Sequence, residues 1–149
     1  MYRQLVPAIT AIVLYALCSL TFADQIAPFT SDGCSAFPDG NTEEQTLWLN
    51  CCVSHDLSYW KGGTYEERIK ADAELESCVA RLGETEIGKL MYAGVRVGGS
   101  PYLPMPYRWG YGWPFSRGYQ ALTNEEKQQA KQQLRQFIKM LESAEAELN

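Results

Sequence analysis

The chain is expected to be a mainly α, disulfide-linked domain: an antiparallel helix pair, an aromatic and proline-rich irregular segment, and a C-terminal helix. Three observations carry this expectation. Capping-box spacing (Thr followed three residues later by Gln or Glu) occurs at Thr42, Thr64 and Thr123, each time ahead of a run with helical apolar periodicity. Gly-Gly pairs at 62–63 and 98–99 punctuate those runs. Four cysteines, Cys34, Cys51, Cys52 and Cys78, remain once an apolar N-terminal stretch is set aside, an even number that suits two bridges in an oxidising compartment.

That stretch, Leu5 to Ala23, is almost uncharged, follows Arg3 and ends in Thr21-Phe22-Ala23, the pattern of a secretory leader. Residues 1–23 are therefore read as a signal peptide, and residues 24–149 as a single secreted or periplasmic domain. The alternative is a retained membrane anchor over residues 5–23, close to the about 20 residues that span a bilayer. Loss of Arg3 takes the formal charge from −5 to −6, acidity that argues against nucleic acid as a partner because phosphate neutralisation needs clustered Lys and Arg. The remaining length suits one modest core, and the domain is expected to act as a monomer. Cys51 and Cys52 point about 100° apart on a helix and are poor partners for each other, so Cys34 joins one of them and Cys78 the other.

Asp32 to Gly40 is dense in Gly, Pro and Asp and reads as a folded loop. The Thr42/Gln45 box then opens a helix running to about Trp60, with Leu47, Leu49, Cys51, Cys52, Val53, Leu57 and Trp60 at helical intervals before Lys61-Gly62-Gly63 stops it. Thr64 with Glu67 opens a second helix, whose Ile69, Asp72, Leu75, Val79 and Leu82 lie broadly along one side. The short turn between the two favours antiparallel packing. Glu86 to about Val97 is a third, shorter helix.

From Ser100 to Tyr119, prolines and glycines interrupt alternating aromatics (Tyr107, Trp109, Tyr111, Trp113, Phe115), which predicts extended or irregular chain with a small hairpin, roofing the helix pair. A bilayer-facing rim is the other reading of this segment, with Arg96, Arg108 and Arg117 meeting lipid phosphates. Thr123 with Glu126 opens the last helix, which is expected to dock through Ala130, Leu134, Phe137, Ile138 and Leu141.

The chemistry concentrates in Cys51-Cys52-Val53-Ser54-His55-Asp56-Leu57-Ser58-Tyr59. His55 is the only histidine, and imidazole is the one side chain whose ordinary pKa suits a general base near neutrality. Helical spacing places Cys52, Asp56 and Tyr59 on one face and Cys51 with His55 on the next. Bridges to the Cys34 loop and to the Cys78 helix would deliver Asp72 near His55, where a carboxylate can orient the ring and stabilise its protonated form. Asp56 is then left facing the loop. A carboxylate beside backbone carbonyls, here those of Gly33, Ser35 and Phe37, is an oxygen-only site that suits Ca²⁺. Such an ion polarises an ester carbonyl while the histidine takes a proton from water. A zinc site on Cys51, Cys52, His55 and Cys78 is the competing reading; it lacks a separated Cys-x-x-Cys pair and needs reduced cysteines.

These residues resemble the secreted calcium-dependent phospholipases A2, whose active-site helix carries Cys-Cys-x-x-His-Asp followed by Tyr three residues after the Asp. Cys51, Cys52, His55, Asp56 and Tyr59 match position for position, and Asp72 with Cys78 six residues on reproduces the family's second helix. The resemblance spans Asp32 to Cys78. It implies the bridges Cys34–Cys52 and Cys51–Cys78, catalysis by His55 with Asp72 and Tyr59, and Ca²⁺ on Asp56 and the carbonyls of Gly33, Ser35 and Phe37. It also implies a phospholipid membrane surface or lipid aggregate as partner. Ser58 and Ala71 stand where many members have a further bridge, so both of its partners are missing together. Ser35 and Phe37 replace loop glycines. Two functions are therefore expected to compete: a calcium-dependent hydrolase of phospholipid acyl esters, and a catalytically weak or inactive phospholipase-like module that binds lipid or protein.

Overall fold

The computed structural model describes residues 25–148. The predicted leader at residues 1–23, its alternative reading as an anchor, and Cys18 lie outside the described residues. Four helices form: α1 (Leu49–Lys61), α2 (Tyr65–Arg81), α3 (Thr85–Gly98) and α4 (Asn124–Leu148). Turns and irregular chain connect them, with no strand among the described residues. None of these helices is long and apolar enough to cross a membrane.

Two of the three capping signals operate. Thr64 Oγ1 accepts from the Glu67 amide at 3.2 Å while Glu67 Oε2 accepts from the Thr64 amide at 2.8 Å, and Thr123 with Glu126 repeats the exchange at 3.2 and 2.8 Å. Thr42 with Gln45 does not. Asn41, one residue earlier, accepts the amides of Glu43 and Glu44 on its Oδ1 at 3.0 and 2.8 Å. The chain therefore turns through residues 41–48 and α1 starts only at Leu49, behind a Trp48 that lacks a side-chain cap. A short carboxamide competes well for local amides, so the box loses to an Asx turn.

Tyr59 meets Arg68, His55 meets Asp72, and Cys51 is bonded to Cys78, so partners ascend one helix as they descend the other: α1 and α2 are antiparallel. The two bridges are Cys34–Cys52 and Cys51–Cys78. They tie α1 to the 31–40 loop on one side and to α2 on the other. The buried face of α2 comprises Arg68, Ala71, Asp72, Leu75 and Val79, while Ile69 and Leu82, expected on that face, are exposed. Asp72, Leu75 and Val79 lie on that face as expected, and Arg68 and Ala71 complete it in place of Ile69 and Leu82. α3 packs chiefly on α2, and it does so closely at Gly88, where a Cβ would lie 2.7 Å from the Glu76 carbonyl oxygen.

The 100–119 segment forms turns rather than a hairpin, because its backbone bonds to other elements. The amides of Gly110 and Gly112 donate to the carbonyls of Tyr59 and Trp60 at 2.6 and 3.1 Å, and that of Trp109 donates to Gly99 at 3.0 Å. The indoles follow: Trp109 and Trp113 donate to the carbonyls of Gly63 and Lys61 at 2.9 and 2.8 Å, covering the end of α1. Trp60 and Trp48 likewise donate to Ala27 and Pro38 at 2.8 and 2.6 Å. All four tryptophans are thus buried with their N–H groups satisfied, the condition for their deep placement.

The roof reading describes the indoles, and the three arginines assigned to a lipid rim turn inward. Arg108 donates to the carbonyls of Trp109, Gly110 and Trp113. Arg117 forms a fork with Glu126, and Arg96 binds Asp72. α4 docks through Ala130 and through Phe137, whose ring stands edge-on to Phe29 at 5.3 Å; Ile138 and Leu141, farther along the predicted stripe, are exposed among the described residues.

Two glycines of α3 should respond oppositely to substitution. Gly88→Leu forces α2 and α3 apart and should destabilise by roughly 2 kcal/mol. Gly94→Ala adds a Cβ where no atom lies within 4 Å and should stabilise by up to about 1 kcal/mol through helix propensity. Urea midpoints of the two variants would check both signs.

Candidate functional site

His55 and Tyr59, one turn apart on α1, both face Asp72 of α2. His55 Nε2 lies 2.9 Å from Asp72 Oδ1, and the Tyr59 hydroxyl donates to the same oxygen at 2.7 Å. The two rings lie against each other at a 36° tilt, with centroids 4.2 Å apart. Tyr59 therefore sides with His55 rather than with Asp56, contrary to the face expected from helical spacing. Ala71 packs in one core cluster with Tyr59 and Trp109, while the Ser58 hydroxyl donates to the Ser54 carbonyl at 3.5 Å.

Two further residues complete the environment of Asp72. Arg96 Nη1 donates to Oδ2 at 2.7 Å, and Arg68 Nε stands 3.7 Å from that oxygen. Arg68 also donates to the hydroxyls of Tyr59 (3.0 Å) and Tyr119 (2.5 Å) and to the carbonyls of Val95 and Arg96 (2.7 and 3.0 Å). Burial opposes the charge of Asp72, which has no exposed surface, yet hydrogen bonds from His55, Tyr59 and Arg96 outweigh it and hold the pKa below the ordinary carboxylate value. Burial, then the Asp72 charge, push the Tyr59 phenol upward, so it stays a donor. An ionised Asp72 only accepts, which puts the ring proton of His55 on Nε2 and leaves the lone pair on Nδ1. Among the described residues, Nδ1 has no protein partner.

Neither arginine was anticipated. Arg68 carried a signal, since it precedes Asp72 by four residues on one helix; Arg96 comes from another helix, and no local pattern announces it.

Asp56 turns the other way, toward the loop tied down by Cys34–Cys52. Ser31 Oγ donates to its Oδ2 at 2.7 Å and accepts the Gly33 amide at 3.2 Å. Gly33, Ser35 and Ala36 all hold φ in the left-handed region, at 79°, 26° and 59°. At Gly33 no Cβ would fit, because Asp39 lies in the way and accepts the Cys34 amide at 2.8 Å. Among the described residues, no hydrogen bond ends on the carbonyl oxygens of Gly33, Ser35 or Phe37. No Lys or Arg pairs with Asp56 there either, and burial pushes its pKa up to about 6 despite the Ser31 hydrogen bond and His55.

His55 and Asp56 line one cavity of about 350 Å³ with Gly33, Cys52 and Tyr59. Its walls are mostly apolar, including Phe37 from the loop and Leu90, Met91, Gly94 and Val95 from α3. A second cavity of about 200 Å³, also lined by Asp56, is edged by Thr30, Ser31, Asp32 and Tyr111. Tyr111 donates to the Thr30 carbonyl at 2.5 Å, holding that rim, and its phenol is pushed upward by burial and by Asp56.

Among the described residues, no three His, Cys, Asp or Glu side chains converge as a metal cluster. A cation here would rest on Asp56 and backbone oxygens, a donor set that fits a hard ion. The zinc alternative fails, since three of its four ligands, Cys51, Cys52 and Cys78, are in disulfides. Comparison with protein-family models, with curated proteins and with solved structures found no match to this chain.

Because the folded pKa of Asp56 lies above the unfolded value of about 4, the group favours folding only while neutral; that contribution is lost as pH rises through about 6. In chelator, Asp56→Asn should therefore be more stable than wild type at pH about 7.5, by on the order of 2 kcal/mol, with the gap narrowing toward pH 5. Urea denaturation at both pH values checks the sign.

Proposed function

We propose that this chain is a calcium-dependent hydrolase of phospholipid acyl esters, of phospholipase A2 type and acting outside the cytoplasm after removal of its leader. The observation that carries the proposal is the hydrogen-bonded His55–Asp72 pair, braced by Tyr59, opening onto the same apolar cavity as a buried, unpaired Asp56. The motif resemblance at residues 51–59, 72 and 78 supports it.

In this reading an acyl chain lies along the apolar wall of the 350 Å³ cavity, with its ester carbon near His55. His55 Nδ1 takes a proton from water as the water oxygen bonds to the acyl carbon. The same proton passes to the departing glyceryl oxygen when the tetrahedral intermediate collapses to fatty acid and lysophospholipid. Asp72 stabilises the transient imidazolium, and no acyl-enzyme forms. Asp56 and the carbonyls of Gly33, Ser35 and Phe37 would hold Ca²⁺, which supplies positive charge for the carbonyl oxygen as it becomes an oxyanion.

A lipid surface is the partner this geometry favours. Leu90 at the cavity wall is 58% exposed, and Val97, Tyr102, Leu103 and Met105, on the chain adjoining lining residues Gly98, Gly99 and Tyr107, expose further apolar surface. With the three arginines committed internally and a formal charge of −6 once the leader is removed, contact would be chiefly apolar.

Purified protein on mixed phospholipid vesicles should release fatty acid with calcium and not with chelator. His55→Gln should lower the rate by at least about 100-fold, and Asp56→Asn should abolish the calcium response. Saturable vesicle binding without turnover, unchanged in His55→Gln, would replace the hydrolase with a binding module.

A further inference from the structure

The two oxygens of Asp72 divide their partners completely. Oδ1 takes His55 Nε2 at 2.9 Å and the Tyr59 hydroxyl at 2.7 Å; Oδ2 takes Arg96 Nη1 at 2.7 Å, with Arg68 Nε at 3.7 Å. Arg96 is itself fixed. Its Nη2 donates to the Tyr65 hydroxyl at 3.2 Å, its guanidinium lies 5.4 Å over the Tyr65 ring, and its backbone carbonyl accepts from Arg68 Nη2 at 3.0 Å. A planar guanidinium offers donors in a rigid fork, so a carboxylate held by it at one oxygen resists rotation about its Cβ–Cγ bond.

We infer that Arg96 is a positioning residue for His55: by holding Oδ2 it keeps Oδ1 against the imidazole and so fixes the ring in its Nε2–H tautomer. Without Arg96, Oδ2 is a buried acceptor whose nearest charged donor is Arg68, 3.7 Å away. The carboxylate then turns toward Arg68 to regain a hydrogen bond, because an unsatisfied buried charge is costly. That rotation draws Oδ1 away from Nε2. Nothing else among the described residues hydrogen-bonds the ring, so both neutral tautomers become populated and the lone pair no longer always faces the cavity. A purely structural Arg96 would tie α3 to α2 and leave the tautomer unchanged.

Only the activity arm of the test rests on the hydrolase reading. His55 is the sole histidine, so ¹⁵N-histidine labelling of the whole protein gives one pair of ring nitrogens. At about pH 9 wild type should show one protonated and one unprotonated nitrogen. In Arg96→Met the two resonances should move toward each other, with Arg96→Lys intermediate because an ammonium restores charge without the fork. Hydrolysis by Arg96→Met should lose about tenfold in kcat with KM nearly unchanged. A folded Arg96→Met protein with the wild-type nitrogen separation overturns the inference. Should Arg96→Met not fold, wild-type separation in Arg96→Lys does the same. Absence of hydrolysis by wild type sinks the proposed reaction, while the nitrogen resonances still decide the role of Arg96.

Discussion

A carboxylate removed entirely from water loses several kcal/mol of hydration that only well-placed donors return. Asp72 has no exposed surface, and its donors come from three helices: His55 and Tyr59 from α1, Arg96 from α3 and, more distantly, Arg68 from α2. Satisfying this one charge therefore requires all three helices to be in register. Arg68 makes the requirement stricter, since it simultaneously holds Tyr59, Tyr119 and the carbonyls of Val95 and Arg96 in the last turn of α3. A shift of α3 along α2 would leave several buried polar groups unpaired, each at about 1–3 kcal/mol.

The rest of the scaffold keeps α1 where Asp72 needs it. Its N-terminal half is bonded to the loop and to α2 through Cys52 and Cys51. At its other end the 100–119 segment takes over, supplying amides and indoles to the carbonyls of Tyr59, Trp60, Lys61 and Gly63. Those carbonyls would otherwise be orphaned at a buried helix terminus. The aromatic segment is thus a helix cap in which the large rings exclude water and the polar tips satisfy the backbone.

The helices following Thr64 and Thr123 were legible because their signals are local, as were the Gly-Gly stops. The start of α1 differs from the expected one because Asn41 takes the amides of Glu43 and Glu44 and turns the chain before the Thr42 box can form, and adjacent capping residues cannot be ranked by spacing alone. His55, Asp56, Tyr59 and Asp72 could be named from their motif, but its geometry was only half visible: helical faces grouped Tyr59 with Asp56, whereas Tyr59 bonds the carboxylate that also holds His55. What could not be read was long-range. Arg96 lies twenty-four residues from Asp72, and Ser31 twenty-five from Asp56; neither pairing leaves a periodic trace. The arginines appeared free in sequence because charge counts carry no information about which cations are already matched.

Asp56 and Asp72 sit in opposite electrostatic conditions. Both are buried, yet three hydrogen-bond donors hold one below the ordinary carboxylate value, while the other, with one hydroxyl, is raised to about 6. Environments that separate two carboxylates in this way assign them different work. Asp72, held below the ordinary carboxylate value by its donors, serves as a negative charge beside His55. Asp56 carries an unmet demand for positive charge, and the neighbouring carbonyls of Gly33, Ser35 and Phe37 accept no hydrogen bond among the described residues. An additional arginine at Asp56 would meet that demand but occupy cavity space beside it. In the proposed reaction a bound cation would meet it while leaving coordination positions for a substrate oxygen, so the unpaired acid and the satisfied one would serve two different steps of the same chemistry.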